Sequence, residues 1–184
     1  KAAITALGSK LVAEHKEYLA DLVVKAMLTV AEKSGNSYKA DVDDVLVEKK
    51  TGDSLKDTSL INGIVIDKEI VHSGMPKRIE KAKIALLDVS LENEKTEYDA
   101  KLNIESPEQI QAFLSQEEEM LRALTNKIVA AGANFVICQK GIDDLVQHFL
   151  ARKGVAAIRR AKKSDMERLA KATGGNVVSN IDAL

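Results

Sequence analysis

Tryptophan is missing from this sequence and aromatic residues make up only 3% of it, so a core has to be built from Ile, Leu, Val and Ala. A single cysteine, Cys138, excludes an intrachain disulfide and any multi-cysteine metal site. It reads as a small apolar residue beside an apolar strand, a usage that fits a reducing cytoplasm. Neither sign of charge is in excess: 27 basic against 28 acidic residues leave a formal charge of −1. That balance argues against the broad basic surface of a non-specific nucleic-acid binder. No run is apolar over the ~20 residues that span a bilayer, so no membrane partner is expected. The chain starts at Lys1 inside a helical pattern rather than at a methionine or a signal-like segment, and an excised piece of a longer protein is expected. What is present is a 45% hydrophobic, 30% charged chain of 184 residues, enough for one domain and a smaller one.

Residues 1–34 carry helical spacing in Leu11, Leu19, Leu22, Val23, Ala26, Met27 and Val30, with Gly8-Ser9 allowing a break and Ser34-Gly35-Asn36 a stop. Short β-like runs follow at 42–47 and 60–66, with Thr51-Gly52-Asp53 as the turn between them, and a third lies at 82–91. Ser106-Pro107-Glu108-Gln109 is a capping-box start for a helix running to Ala131 and stopped by Gly132. At 1.5 Å per residue that helix is roughly 35–40 Å long, more than a domain of ~120 residues is wide. Ile110, Leu114, Leu121, Leu124 and Ile128 form one apolar stripe, interrupted in its first half by Glu117-Glu118-Glu119. Part of this helix is therefore expected to project. Beyond it come a strand at 134–138, a helix at 142–152, a strand at 155–158, a second capping box at Ser164-Asp165-Met166-Glu167 opening a helix, and a strand at 176–179. This is a strand–helix–strand–helix–strand unit, expected to be parallel.

Parallel units invite a search for chemistry. Neither the Walker-type phosphate loop nor the glycine fingerprint of dinucleotide folds is present. Gly141 alone is weak support for an anion site; a tight strand-to-helix turn explains it better. His15, His72 and His148 are far apart in sequence, and none sits in a metal-binding pattern. Asp143 and Asp144 are adjacent at a helix start, where they meet the helix dipole rather than each other. The basic run Arg159-Arg160-Ala161-Lys162-Lys163 has no aromatic platform beside it and reads as a solvated loop or a charged wall facing a partner.

Five stretches in register resemble the group II chaperonins, the archaeal thermosome above all. They are the seven residues from Gly63 to Glu69, those from Val71 to Lys77, and those from Ala82 to Asp88. Cys138 to Asp144 with Gln147-His148, and Lys162 to Glu167 with Leu169 to Gly175, complete the set. The resemblance implies a mixed α/β fold, with an apical body of β-sheets flanked by helices, a projecting long helix as a built-in lid, and a smaller helix-rich segment. Residues 1–62 would be the first intermediate-domain segment, and 63–184 the apical, substrate-binding domain, with a helical protrusion at about 94–119. It further implies a cytoplasmic molecular chaperone whose partners are unfolded or partly folded polypeptides and sister subunits of a double ring. ATP and Mg would be cofactors of the intact protein. The family's Gly-Asp-Gly-Thr-Thr phosphate motif is absent from these residues, so no catalytic residue, cofactor or metal is expected in this stretch.

On this reading Leu102, Ile104, Ile110, Phe113 and Leu114 form the apolar patch of the lid; the alternative is that they pack into the body. The helix at 142–152 lines the substrate side, with Ile142, Val146, Phe149 and Leu150 on its buried face. Helical periodicity gives its exposed face Asp144, Gln147, His148, Ala151 and Arg152, the expected polypeptide-binding residues. The rival class is a small-molecule-binding α/β enzyme domain using the parallel unit after residue 134, which would show a pocket at the strand ends. An RNA-binding module centred on residues 159–163 is a third, weaker class.

Overall fold

A computed structural model of the chain describes residues 1–92 and 107–184, and resolves them into two compact units, Lys1–Val65 and Ile66–Leu184. The first unit holds helices α1 (Ala2–Leu7) and α2 (Lys16–Thr29) and a small antiparallel hairpin of β1 (Glu32–Ser34) and β2 (Ser37–Lys39). Its turn is Gly35-Asn36, with Gly35 at φ +62°; α2 already ends at Thr29, so the glycine expected to stop a helix reverses the chain instead. Ala20 and Ala26 are the only apolar residues this unit buries. The Tyr18 hydroxyl ties α2 to the far end of the unit by donating to the Thr58 carbonyl at 2.6 Å.

Two expected strands of this region do not form. Residues 42–44 make a 3-10 turn capped by the Asp41 carboxylate, which accepts from the Asp43 N–H. Residues 55–57 make another, closed by a reciprocal capping box between Ser54 and Asp57. Short polar side chains here offer the backbone local partners, and β-like composition does not supply a second strand to pair with. Residues 60–66 likewise carry no strand.

The second unit is built on a parallel sheet, ordered β3 (Ile84–Leu87), β4 (Phe135–Cys138), β5 (Ala156–Ile158). These strands read as short continuous apolar runs rather than alternating ones, as strands covered on both faces do. Three helices accompany them: α3 (Pro107–Ala130), α4 (Asp144–Arg152) and α5 (Lys163–Thr173). Leu87, Leu91, Ile128, Val136, Cys138, Ile142, Val146 and Leu150 form the centre of the core. The expected last strand shrinks to one bridge between Leu87 and Val178. It adds beside β3, at the opposite edge from β5, with the Asp88 and Val178 N–H groups donating across at 2.8 Å. Helix ends follow the sequence signals in part. Gly132 and Gly174 stop α3 and α5 in the left-handed region. However, α5 begins one residue before Ser164, with Lys162 as N-cap and no side-chain cap, so the second capping box does not form. Among the described residues no helix is long and apolar enough to cross a membrane.

Candidate functional site

Helix α4 is positioned at both ends by the chain itself. At its start the Asp143 carboxylate accepts from the Leu145 N–H at 2.8 Å. At its end Gly154, at φ +72°, turns the chain into β5. Ile142, Val146 and Leu150 enter the core and Phe149 is half-buried, as the helical spacing requires.

The outward face differs from the expectation at one residue. Asp144, His148 and Arg152 are exposed and Ala151 is half-exposed, but Gln147 is only 5% exposed. Its amide turns inward and donates to the Ile142 carbonyl at 2.8 Å and to Asp144 Oδ1 at 3.0 Å. A long polar side chain on the flank of a helix bonds to the helix's own first turn, which periodicity alone does not reveal. Leu145, which the expectation assigned to neither face, is 45% exposed. It shares a face with His148 and Arg152 at the i, i+3, i+7 spacing, and that spacing was the available signal.

A loop lies alongside. The Val71 N–H donates to the Ala157 carbonyl at 3.1 Å, and Met75 is buried with its sulfur accepting from the Ala157 N–H at 3.3 Å. Residues 71–75 therefore run along β5 and bring His72 to α4, where its ring meets that of His148 edge-on, centroids 6.0 Å apart. His72 Nδ1 accepts from the Gly74 N–H at 3.0 Å. The result is a surface made of one helix and one loop, carrying an exposed leucine, two imidazoles and a guanidinium.

Helix α3 divides into two halves. Leu121, Thr125 and Ile128 are buried, Leu124 is half-buried, and α3 packs on α4. In the outer half Ile110, Phe113 and Leu114 are all exposed. Leu102 and Ile104, the remaining expected lid residues, lie outside the described residues, as does Ser106.

The electrostatics do not suit a phosphate. The N-terminus of α4, the natural anion site of a strand–helix unit, is occupied by the Asp143 carboxylate. Gly141 has no left-handed backbone; a side chain there would collide with the Glu92 carboxylate. The tip of that exposed, flexible side chain can swing aside, so the contact alone does not demand glycine. Among the described residues no three His, Cys, Asp or Glu side chains converge to hold a metal. Cys138 is fully buried, and burial pushes its thiol up to about 11. Nor does the geometry support the enzyme alternative. A cavity of about 400 Å³ sits between α3 and the C-terminal end of α4, away from the carboxyl ends of the strands where such enzymes bind.

The model of the TCP-1/cpn60 chaperonin family matches residues 1–184. The chain belongs to this family. Among the relatives of this chaperonin chain is thermosome subunit beta of Saccharolobus shibatae, 61% identical over all 184 residues. Thermosome subunit beta of Thermococcus kodakarensis is 59% identical over 181 residues, 98% of the chain. The chain spans 33% of the length of each of these relatives. A solved structure, the open-state monomer of a group II chaperonin from Methanococcoides burtonii, superposes with a TM-score of 0.76 at 37% identity. That match covers 98% of this chain and 39% of the other. The mixed helix-and-sheet architecture is thus that of a group II chaperonin subunit.

Proposed function

We propose that this chain is the polypeptide-capturing and lid-forming part of an ATP-dependent group II chaperonin. The observation that carries this reading is the pairing of two incompletely covered apolar elements on one body. One is the outward face of α4 with Leu145; the other is the outer half of α3 with Ile110, Phe113 and Leu114. Residues 1–62 act as the intermediate-domain segment and 63–184 as the apical domain, a division supported by the break between compact units at Val65 and Ile66. The protrusion at 94–119 forms the lid, and its stem is the exposed half of α3.

Non-native chains offer apolar groups, and burying them yields ~25 cal/mol per Å². A few hundred Å² gives several kcal/mol gross, much of which is offset by ordering costs. One copy therefore binds weakly, and capture becomes firm when a ring presents many linked copies. Asp144, His148, Ala151 and Arg152 contact the polypeptide around Leu145, while Gln147 holds the helix start. ATP and Mg²⁺ act elsewhere in the longer protein, a reading supported by the Asp143 carboxylate at the start of α4, where a phosphate would otherwise sit. Sister subunits and cytoplasmic unfolded chains are the partners.

The test is capture of a chemically unfolded, dye-labelled protein by the chain immobilised at high density. Leu145→Ser is expected to weaken capture several-fold with an unchanged melting temperature. Undiminished capture would remove α4 from the binding surface.

A further inference from the structure

Two imidazoles carried by different elements meet at the surface of the second unit. His72 stands on the loop beside β5 and His148 on α4, with ring centroids 6.0 Å apart and ring planes at 65°. They are far apart in sequence, and only the fold brings them together.

Both are carried on backbone that is held in place. The loop is pinned to the edge of β5 by the Val71 N–H on the Ala157 carbonyl and by the buried Met75. The Met75 N–H closes back on the His72 carbonyl at 3.1 Å. Gly74 lets this loop lie close to α4: a side-chain carbon there would sit 4.0 Å from Cβ of Ala151 and 3.2 Å from Nδ1 of His72. Helix α4 is fixed by the Asp143 cap and by Val146 and Leu150 in the core. Rigid supports of this kind position ligands better than loose ones.

Neither ring is engaged by an acid. Among the described residues no carboxylate lies within 4.0 Å of either imidazole. His148 is exposed, and its contacts are with the rings of His72 and Phe149. His72 accepts from the Gly74 N–H at Nδ1, which leaves Nε2 as its open nitrogen.

We propose that His72 and His148 form a two-imidazole site for a borderline divalent transition ion such as Zn²⁺, Ni²⁺ or Cu²⁺. Imidazole suits these ions, whereas Mg²⁺ and Ca²⁺ take oxygen ligands. With Zn–N at about 2.0–2.1 Å, two rings on one tetrahedral ion have centroids roughly 5 Å apart. A turn of the exposed His148 side chain closes the difference. Coordination by Nε2 moves the His72 proton to Nδ1, and the exposed Gly74 N–H then turns to water. One turn before His148 the exposed Asp144 carboxylate adds negative charge to this face, and one turn after it Arg152 adds positive charge, so the two largely offset each other. Two protein ligands leave the other positions to water, and the ion exchanges rather than building the fold. The site shares His148 with the polypeptide-contacting face but does not depend on that reading.

The test is calorimetric titration of the untagged chain with Zn²⁺ in a non-chelating buffer, with Mg²⁺ as the comparison. A single saturable site is expected for Zn²⁺ and none for Mg²⁺. His148→Ala, at an exposed position, should weaken Zn²⁺ binding at least about tenfold, since even loss of an outer-shell partner does so. His72→Ala should act alike, and the double variant should be no weaker than either single one, because one imidazole alone makes no chelate. His15→Ala should bind as the unaltered chain does. With Cu²⁺, electron paramagnetic resonance should show two nitrogen ligands that the double variant loses. If His72→Ala melts lower through loss of its Gly74 bond, His148→Ala and the copper spectrum still decide. Binding that survives His148→Ala, an equal loss in His15→Ala, or no saturable Zn²⁺ site at all would each overturn the proposal.

Discussion

Leu114 and Leu121 stand two turns apart on one face of the same helix, yet Leu114 is 57% exposed and Leu121 only 4%. The sequence repeats the same residue at the same angular position; what differs is whether a body lies beneath it. At 24 residues α3 is roughly 36 Å long, and its buried side chains, Leu121, Thr125 and Ile128, all lie in its second half. This exposed outer half is the part proposed above as the stem of the lid.

Replacing Ile110, Phe113 and Leu114 together with Ser is expected to lower the melting temperature of the chain by no more than about 4 °C. Leu121→Ala, on the same stripe, should cost about 2–5 kcal/mol. Thermal and urea melts of both variants check this. A large drop for the triple variant would mean that these side chains form core.

Gln147→Ala is expected to cost about 1–2 kcal/mol, because it removes a buried donor from the Ile142 carbonyl and from Asp144. His148→Ala, one residue along and exposed, should change stability by less than about 0.5 kcal/mol. Urea denaturation of the pair distinguishes the structural residue from the surface one.

Cys138 sets a pH dependence of definite sign. Its thiol is pushed from an ordinary 9.0 to about 11 by burial. Between those values the unfolded chain loses a proton that the folded chain keeps, so stability falls as pH rises. Relative to Cys138→Ala, the chain should lose about 2–3 kcal/mol across that window. At pH 8 a thiol reagent should label it only as fast as the protein opens. Rapid labelling of the folded chain would contradict the buried assignment.

Much of the second unit was legible in the sequence because long amphipathic helices and dense apolar strands carry strong periodic signals. The α3 span, the β4–α4–β5 order and the burial of Ile142, Val146 and Leu150 all follow from spacing. The first unit was less legible. Apolar runs such as 42–47 have strand composition, but Asp41, Ser54 and Asp57 settle the backbone locally through side-chain bonds that hydrophobicity does not register. The edge position of Val178 depends on where the chain returns, a long-range choice that no local pattern encodes. On α4, Gln147 was expected to face water as a polar residue at an outward angle, and Leu145 was assigned to neither face. Gln147 found two acceptors at the helix's own start, and Leu145 sits on the angle that the core does not reach.

The central claim is that this chain holds non-native polypeptide through exposed apolar surface without nucleotide. The most direct measurement is light scattering of a thermally unfolding test protein in the presence of the chain, with and without Mg-ATP. Scattering is expected to be suppressed in proportion to chain concentration, equally in both conditions, and suppression should weaken in Leu145→Ser. Undiminished aggregation at a large excess of the chain, or suppression only when Mg-ATP is added, would contradict the account.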